Sequence, residues 1–287
     1  MTGPRAFSCS ACAVALELEA DGVFAAPGET EVSFPDDSDA LLVALEDSSF
    51  WFRHRQAVIG AFLERFPVAG PLWDVGGGSG FHALSFQREG HAVVLVEPGA
   101  VRARNAARRG VRTVVRGTLE GVGLPAASLA GISLFDVIEH LADPSPLLAE
   151  CRRVLAPGGR LLVTVPAWRA LWSQTDDYAQ HHHRYTLPGL QARLRKSGFH
   201  IDDSAYFFQA LVLPIAAFRA LPYHLSRWTR SAAPAISAVE HAPGGLSQRL
   251  VERLLARELK ALRAGGRPLF GASIIAVASP SAVEESS

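Results

Sequence analysis

Apolar positions fall into short unbroken runs over most of the chain, and helix-like stretches separate them. "PLWDV" runs into a cluster of glycines; "HAVVLVEPG", "VRTVVRG", "LAGISLFDVIEHL" and "RLLVTVPA" follow, then "HIDDSAYFF" and, last, "GASIIAVASP". Short apolar runs bounded by turn residues read as buried strands. Between them "FHALSFQREG", "AVRARNAARRG", "PSPLLAECRRVLAPGG" and "TLPGLQARLRKSGF" read as helices, several with glycine exits. The alternation predicts an α/β fold: a doubly wound, mostly parallel seven-stranded sheet with helices on both faces. Ligands of such sheets sit beyond the carboxyl ends of the strands, near the switch point.

Five stretches break the rhythm. Residues 1–33 read as a small Cys-containing hairpin segment that resembles the front half of a zinc ribbon, with the Cys9-x-x-Cys12 pair followed by a turn at Asp21-Gly22. A structural zinc site needs four ligands, and Ala25 and Ala26 stand where a second pair is sought. "FPDDSD" (34–39) is a polar link, and from about 40 to 66 the pattern is helical: Leu41, Leu42, Leu45, then Phe50, Trp51, Phe52, Val58, Ile59 and Phe62. Residues 208–268 form a helical cap inserted before the last strand. Its Leu250, Leu254, Leu255, Leu259 and Leu262 recur at helical spacing, which suits packing over the core or a second subunit, a lid over a large apolar acceptor, or an interfacial anchor for a lipid-linked one. The tail, 281–287, reads as disordered.

Composition narrows the function. The 287 residues carry 28 basic and 28 acidic side chains, so no basic footprint marks a nucleic-acid partner. Three cysteines are too few for a disulfide-stapled secreted fold. No signal peptide is read at the N-terminus and no transmembrane segment elsewhere, because Pro214 and Arg219 interrupt the most apolar stretch. The cytoplasm is the expected compartment, with peripheral membrane contact left open and a monomer or homodimer expected.

Chemistry enters at "LWDVGGGSG". Glycines behind a strand let backbone approach a ligand closely. A dinucleotide loop asks for GxGxxG; Gly76 and Gly78 fit its first two places, but Phe81 stands at the third. Asp74 before the glycines repels a pyrophosphate, while Glu97, at the tip of the next strand, is placed to accept two ribose hydroxyls. The combination favours an adenosine without a diphosphate, S-adenosylmethionine. An NAD-dependent oxidoreductase is the runner-up.

"LWDVGGGSG", "VVLVEPG", "LFDVIEHL" and "VLAPGGRLLVTVPA" together, in this order, resemble the motifs of class I S-adenosylmethionine-dependent methyltransferases, of the bacterial type 11/23-like subgroup, over residues 40–280. The resemblance implies a Rossmann-like fold with S-adenosyl-L-methionine as cofactor. It places Asp74, Gly76, Gly77, Gly78 and Gly80 at the methionine part, Glu97 on the ribose and Pro98 beside the adenine. Thr118 and Leu119 lie at the adenine edge, where the family's acid is replaced by Thr118. Phe135, Asp136 and Val137 begin the loop after the fourth strand. Glu139 and His140 behind them read either as a structural hydrogen-bonded pair or as part of the site. "FWFRHR" (50–55) resembles a subgroup helix whose aromatics cover the cofactor and whose arginine reaches its carboxylate: here Trp51 (or Phe52) and Arg55. An ordinary core helix is the other reading.

For the acceptor, "WSQTDDYAQHHHRYT" (172–186) resembles a subgroup segment of form D-x4-H-x-R-R-Y-T, matched by Asp176, His181, Arg184 and Tyr185, with His183 in place of the first arginine. His181, His182, Tyr185 and His140 are the catalytic candidates; Trp168, Asp176, His183 and Arg184 are the acceptor-binding ones. Adjacent residues point in different directions, so at most two of the three histidines reach one ion, and no metal is expected. The expected function is methyl transfer to an oxygen or nitrogen of a small-molecule acceptor, such as a specialised metabolite or a sugar- or lipid-linked intermediate. Alternatives are a peptide or protein methyltransferase, or a non-catalytic protein that binds S-adenosylmethionine.

Overall fold

The computed structural model describes residues 6–8, 15–19, 21–27, 49–225 and 246–281. The Cys9–Cys12 pair, the 34–39 link, Leu41, Leu42, Leu45, Trp228 and the tail from 282 lie outside the described residues. The strands are β1 (Ala6–Ser8), β2 (Ala15–Leu18), β3 (Phe24–Ala25), β4 (Leu72–Val75), β5 (Val93–Glu97), β6 (Val114–Arg116), β7 (Leu129–Phe135), β8 (Leu155–Pro166), β9 (Phe199–Phe207) and β10 (Ser273–Pro280). They form one sheet in the order β1-β2-β3-β6-β5-β4-β7-β8-β10-β9.

The seven strands expected from the apolar runs are the run from β6 to β9. β6, β5, β4, β7 and β8 are parallel. β10 lies antiparallel to both β8 and β9, between them. From β4 the chain winds outward through β5 to β6, then returns to β7 on the other side of β4, so the switch point falls between β4 and β7. The N-terminal hairpin, expected as a separate segment, is continuous with this sheet. β3 pairs in parallel with β6 at Phe24–Val115 and Ala25–Arg116, and Arg116 pairs with Glu19. An edge strand presents unpaired backbone groups, and β3 takes them up.

Every residue of β4 and β5 is buried, as the unbroken apolar runs require of strands covered on both faces. Successive residues face opposite layers. Trp73 and Val75 join the core that holds Leu148 and Val154 of α5 (Ser145–Val154) and Leu190 of α7 (Leu187–Lys196). Leu72 joins the opposite layer, with Ile59 and Phe62 of α1 (Phe50–Arg65) and Leu255 and Leu262 of α10 (Leu246–Arg263). The remaining helices are α2 (Phe81–Arg88), α3 (Ala100–Arg108), α4 (Leu119–Val122), α6 (Gln174–Tyr178), α8 (Gln209–Ile215) and α9 (Leu221–Leu225).

Two local expectations shift. The Ala156-Pro-Gly-Gly159 run, read as a helix exit, belongs to the start of β8 because α5 already ends at Val154. In the cap, Leu255 and Leu262 are buried but Leu250 and Leu254 are exposed, so only part of the apolar stripe of α10 meets the core. One buried carboxylate pins the cap: Glu258 accepts the backbone N–H groups of Phe208 (2.8 Å) and Gln209 (2.7 Å) and pairs with His54 (2.8 Å).

Candidate functional site

The glycines occupy the turn from β4 into α2, and they differ in what surrounds them. A Cβ on Gly77 would lie 2.7 Å from Asp74 Oδ2 and 2.9 Å from Leu95, so this residue is glycine for close packing inside the protein. Gly78 has φ +56°, yet a Cβ there would meet nothing within 4 Å. Its Cα therefore faces open space beyond the sheet, the place for a ligand rather than for a neighbouring side chain.

Two carboxylates lie beneath this turn. Glu97, at the tip of β5, accepts the N–H of Gly78 at 2.9 Å and that of Gly99 at 2.8 Å, which ties the turn to the next strand. Asp74 accepts the hydroxyl of Ser133 on β7 at 2.8 Å through Oδ1. Its Oδ2 is buried and has no hydrogen-bond partner among the described residues. Burial raises Asp74 to about 7, the Ser133 hydroxyl opposing the shift and Glu97 adding to it. At neutral pH Asp74 is thus poised between acid and anion, where the sequence suggested a plain anion.

A pH effect follows with a definite sign. An unfolded aspartate titrates near 4. Between about pH 4 and 7 folded Asp74 keeps a proton that the unfolded chain has lost, so this group lowers the stability of the ligand-free protein as pH rises. At about 1.4 kcal/mol per unit the effect is on the order of 4 kcal/mol by pH 8. Denaturant melts of Asp74→Asn at pH 5 and pH 8 are expected to lack that loss; an unchanged slope between the two pH values would remove the assignment.

Across the switch point, Arg55 of α1 pairs with Asp136, the first residue beyond β7. Asp136 has φ +54°, a left-handed conformation that aspartate tolerates, and it is held by the Thr164 hydroxyl at 3.0 Å. The Arg55 guanidinium lies 5.8 Å from the Trp51 ring, and Trp51 stacks on Phe208 with ring centres 4.0 Å apart. The subgroup helix "FWFRHR" is thus brought to the switch point, but Arg55 is committed to Asp136 here. His82 was missed in the sequence. Its Nδ1 lies 2.7 Å from Gln56 Oε1 and its ring meets Phe135 edge-on at 5.2 Å. Burial, with Arg55 beside it, pushes His82 down to about 3, so it is neutral. Its place one residue into the helix after the glycine turn was the signal available.

The segment 172–186 packs against the loop after β7. Asp176 is buried and forms a capping box with Ser173 at the start of α6. It accepts Arg184 through Nε (2.6 Å) and Nη2 (3.0 Å), and pairs with His181 Nδ1 at 2.9 Å. Burial alone would raise Asp176; the hydrogen bonds from His181 and Arg184 outweigh it and hold the carboxyl at about 2. The His181 ring meets that of His140 at 4.7 Å. Burial and His181 push His140 down to about 4. The His182 side chain is exposed, while its backbone N–H donates to the Glu139 carbonyl at 2.7 Å. His183 Nε2 lies 3.0 Å from the Ala142 carbonyl. Tyr185 is buried, its hydroxyl donates to the Ile138 carbonyl at 3.3 Å, and burial pushes it up to about 12, which is unsuited to a general base. Trp168 donates to the Gly271 carbonyl at 2.9 Å and stacks on Tyr206. Glu139 and His140 are not hydrogen-bonded to each other through the Glu139 carboxyl, whose two oxygens have no such partner among the described residues.

Known proteins resemble this chain in sequence and in fold. The model of a family described as a methyltransferase domain matches residues 51–204, which span β4 to β8 and both loops of the site. The chain belongs to this methyltransferase family. A probable S-adenosylmethionine-dependent methyltransferase of Mycolicibacterium smegmatis is 28% identical over 180 residues, 61% of this chain and 69% of that protein. Another from Mycobacterium tuberculosis is 31% identical over 123 residues, 42% of this chain and 44% of that protein, so the match spans less than half of the latter. In fold, the methyltransferase resembles Haemonchus contortus phosphoethanolamine N-methyltransferase 2 in complex with S-adenosyl-L-methionine, with a TM-score of 0.53 at 17% identity over 86% of this chain and 58% of that one. The family's methyl donor, S-adenosylmethionine, is the cofactor expected from the glycine turn and its two acids.

The remaining expected cofactor residues of the methyltransferase surround the same turn. The Val137 methyls sit where a Cβ on Gly76 would fall, at 2.7 Å, and a Cβ on Gly80 would meet Val111 at 2.8 Å. Phe135 is buried and Pro98 half-buried behind Glu97. The Thr118 hydroxyl caps α4 by accepting the Gly121 N–H at 3.1 Å, and Leu119 is buried in the core. Neither of these two side chains is oriented as an adenine ligand; their backbone is what remains for that role. Ser133, which supports Asp74, was hidden in an apolar run. No described helix is long and apolar enough to cross a membrane.

Proposed function

We propose that this methyltransferase places S-adenosylmethionine over Gly78 and moves its sulfonium methyl to an oxygen or nitrogen of a small-molecule acceptor. The catalytic unit is taken as residues 40–280, with 208–268 as its cap, working in the cytoplasm as a monomer or homodimer. The observation that carries the reading is Gly78, open above Glu97 and beside the unpartnered Asp74 Oδ2. The residues fit the cofactor. Glu97 ends β5 beside the turn, and a carboxylate there suits the hydroxyls of a ribose, which donate to it. Asp74, near its titration point, gains an anion's charge beside a cationic ligand. The cofactor supplies an electrophilic methyl whose carbon–sulfur bond breaks as the acceptor's lone pair bonds to carbon.

The chain's own task is to aim the acceptor along that line and keep water out. Trp51 stacked on Phe208 supplies an apolar wall, and the segment 172–186 closes the other side. The acceptor must shed a proton. Of the catalytic candidates, His140 and His181, whose rings meet at 4.7 Å, are taken as the proton's acceptors when no ion is bound.

Calorimetric titration with S-adenosylmethionine, followed by a screen for methylated small molecules, tests this. Binding in the micromolar range is expected, and none at millimolar concentration would sink the reading. Arg55→Ala is expected to weaken binding by roughly 10–100-fold, the worth of one charged hydrogen bond. Unchanged affinity in that variant would confine Arg55 to its pair with Asp136.

A further inference from the structure

Glu139, His140 and His181 come from two loops, yet each brings one ligand atom to within 4.8 Å of the others. Glu139 follows β7, and His181 arrives 42 residues later on the segment after β8. The Glu139 carboxyl is fully buried, and neither oxygen accepts a hydrogen bond from any other described residue; the donor nearest to it is its own backbone N–H. The nearby guanidinium groups do not serve it: Arg55 pairs with Asp136 and Arg184 with Asp176. A buried carboxylate with no donor either keeps a proton or faces a cation.

The two imidazoles are oriented from behind. Asp176 also accepts two hydrogen bonds from Arg184, so it faces His181 as an acceptor: His181 Nδ1 donates to it and Nε2 is turned away from it. His140 hydrogen-bonds to the backbone of Ala179, which leaves its other ring nitrogen as the basic one. Histidines that hold a metal are set in this way, with the second nitrogen donating to a carboxylate or a carbonyl.

We propose that Glu139, His140 and His181 bind one divalent first-row transition-metal ion of the zinc type on the acceptor side of the transfer site. Two imidazole nitrogens and one carboxylate suit zinc and its neighbours, whereas magnesium prefers oxygen alone. Ligands about 2.1 Å from one ion lie roughly 3.3 Å apart, so the group closes by at most roughly 1.5 Å, within reach of side-chain rotation. Three protein ligands leave a position open, as in catalytic rather than structural zinc sites. An ion there favours an acceptor that carries a hydroxyl: bound at the open position, the hydroxyl gives its proton to solvent water rather than to the liganded imidazoles, and its oxygen attacks as the alkoxide. That corollary rests on the transfer reading above; the binding itself does not.

The test uses the full chain, stripped with a chelator and titrated with Co²⁺ and then Zn²⁺, without S-adenosylmethionine. Cys9 and Cys12 form a second metal candidate in the sequence, so the Cys9→Ser/Cys12→Ser variant is titrated alongside. That variant is expected to keep one ion per chain, with cobalt d–d bands of nitrogen and oxygen ligation and no thiolate charge-transfer band. On this background His181→Ala and Glu139→Gln are each expected to lose at least the roughly 10–100-fold seen when a ligand's outer partner is disturbed. Glu139→Gln puts a neutral amide of the same shape in place of a carboxyl that burial already favours as the neutral acid, and it is expected to fold as well, which circular dichroism checks. The proposal is overturned if the cysteine-free variant binds no stoichiometric ion, if it binds magnesium alone, or if Glu139→Gln and His181→Ala bind as tightly as their parent. A separate cofactor titration reports on the transfer reading, so either can fail without the other.

Discussion

Replacing Gly78 with leucine is expected to lower the affinity for S-adenosylmethionine by roughly 100-fold or more while the fold survives. The reason is geometric. A side chain at position 78 meets no protein atom within 4 Å at its Cβ, so it grows into the space proposed for the cofactor. The φ of +56° imposes a cost on any side chain, about 1–2 kcal/mol for a left-handed L-residue, which a domain of this size tolerates. A 100-fold loss corresponds to about 2.7 kcal/mol of binding, small beside the steric conflict. Gly77→Ala is the contrast: its Cβ would collide with Asp74 Oδ2 and Leu95, so it is expected to lower stability first. Calorimetry and thermal melts on both variants separate the two effects. Wild-type affinity in Gly78→Leu would show that the turn does not hold the cofactor.

Asp176→Ala is expected to destabilise the chain by about 3–5 kcal/mol, the cost of stripping one partner from a buried charge cluster. Arg184 would lose two hydrogen bonds, His181 one and Ser173 two, one from its backbone N–H and one from its hydroxyl. At about 2–4 °C per kcal/mol the melting temperature falls by on the order of 10 °C. The pH dependence is distinctive. The folded Asp176 carboxyl is depressed to about 2 from an ordinary value near 4, so its contribution is fully present above about pH 4 and is lost as pH falls towards 2. Melts of wild type and variant should therefore differ most near neutrality and converge between pH 4 and 2. A gap of constant size down to pH 2 would mean that the carboxylate's charge is not what holds the segment.

Much of the architecture was legible because it rests on local pattern. Each strand from β4 to β10 coincides with an apolar run, and Asp74, Gly78 and Glu97 sit at strand ends as their motifs require. What eluded the sequence depends on partners distant along the chain. Ser133 looks like one more residue of a buried strand until it meets Asp74, 59 positions away. Thr118 and Leu119 stand in the adenine position by motif, but the hydroxyl of one caps a helix and the side chain of the other fills the core. Tyr185 fits a catalytic list by residue type, and burial raises its proton affinity beyond that use.

By itself the sequence determined the order of strands and helices, the place of the glycine turn and the positions of the two acids, Asp74 and Glu97, beneath it. Backbone propensity, apolar periodicity and motif spacing are properties of neighbours in the chain, so one sequence carries them. Only the tertiary structure decided that the N-terminal hairpin extends the sheet, that Asp74 is poised near neutrality, that Arg55 pairs with Asp136, and that Glu139, His140 and His181 meet at one point. Burial and distance between remote residues set those outcomes, and neither exists until the layers have packed.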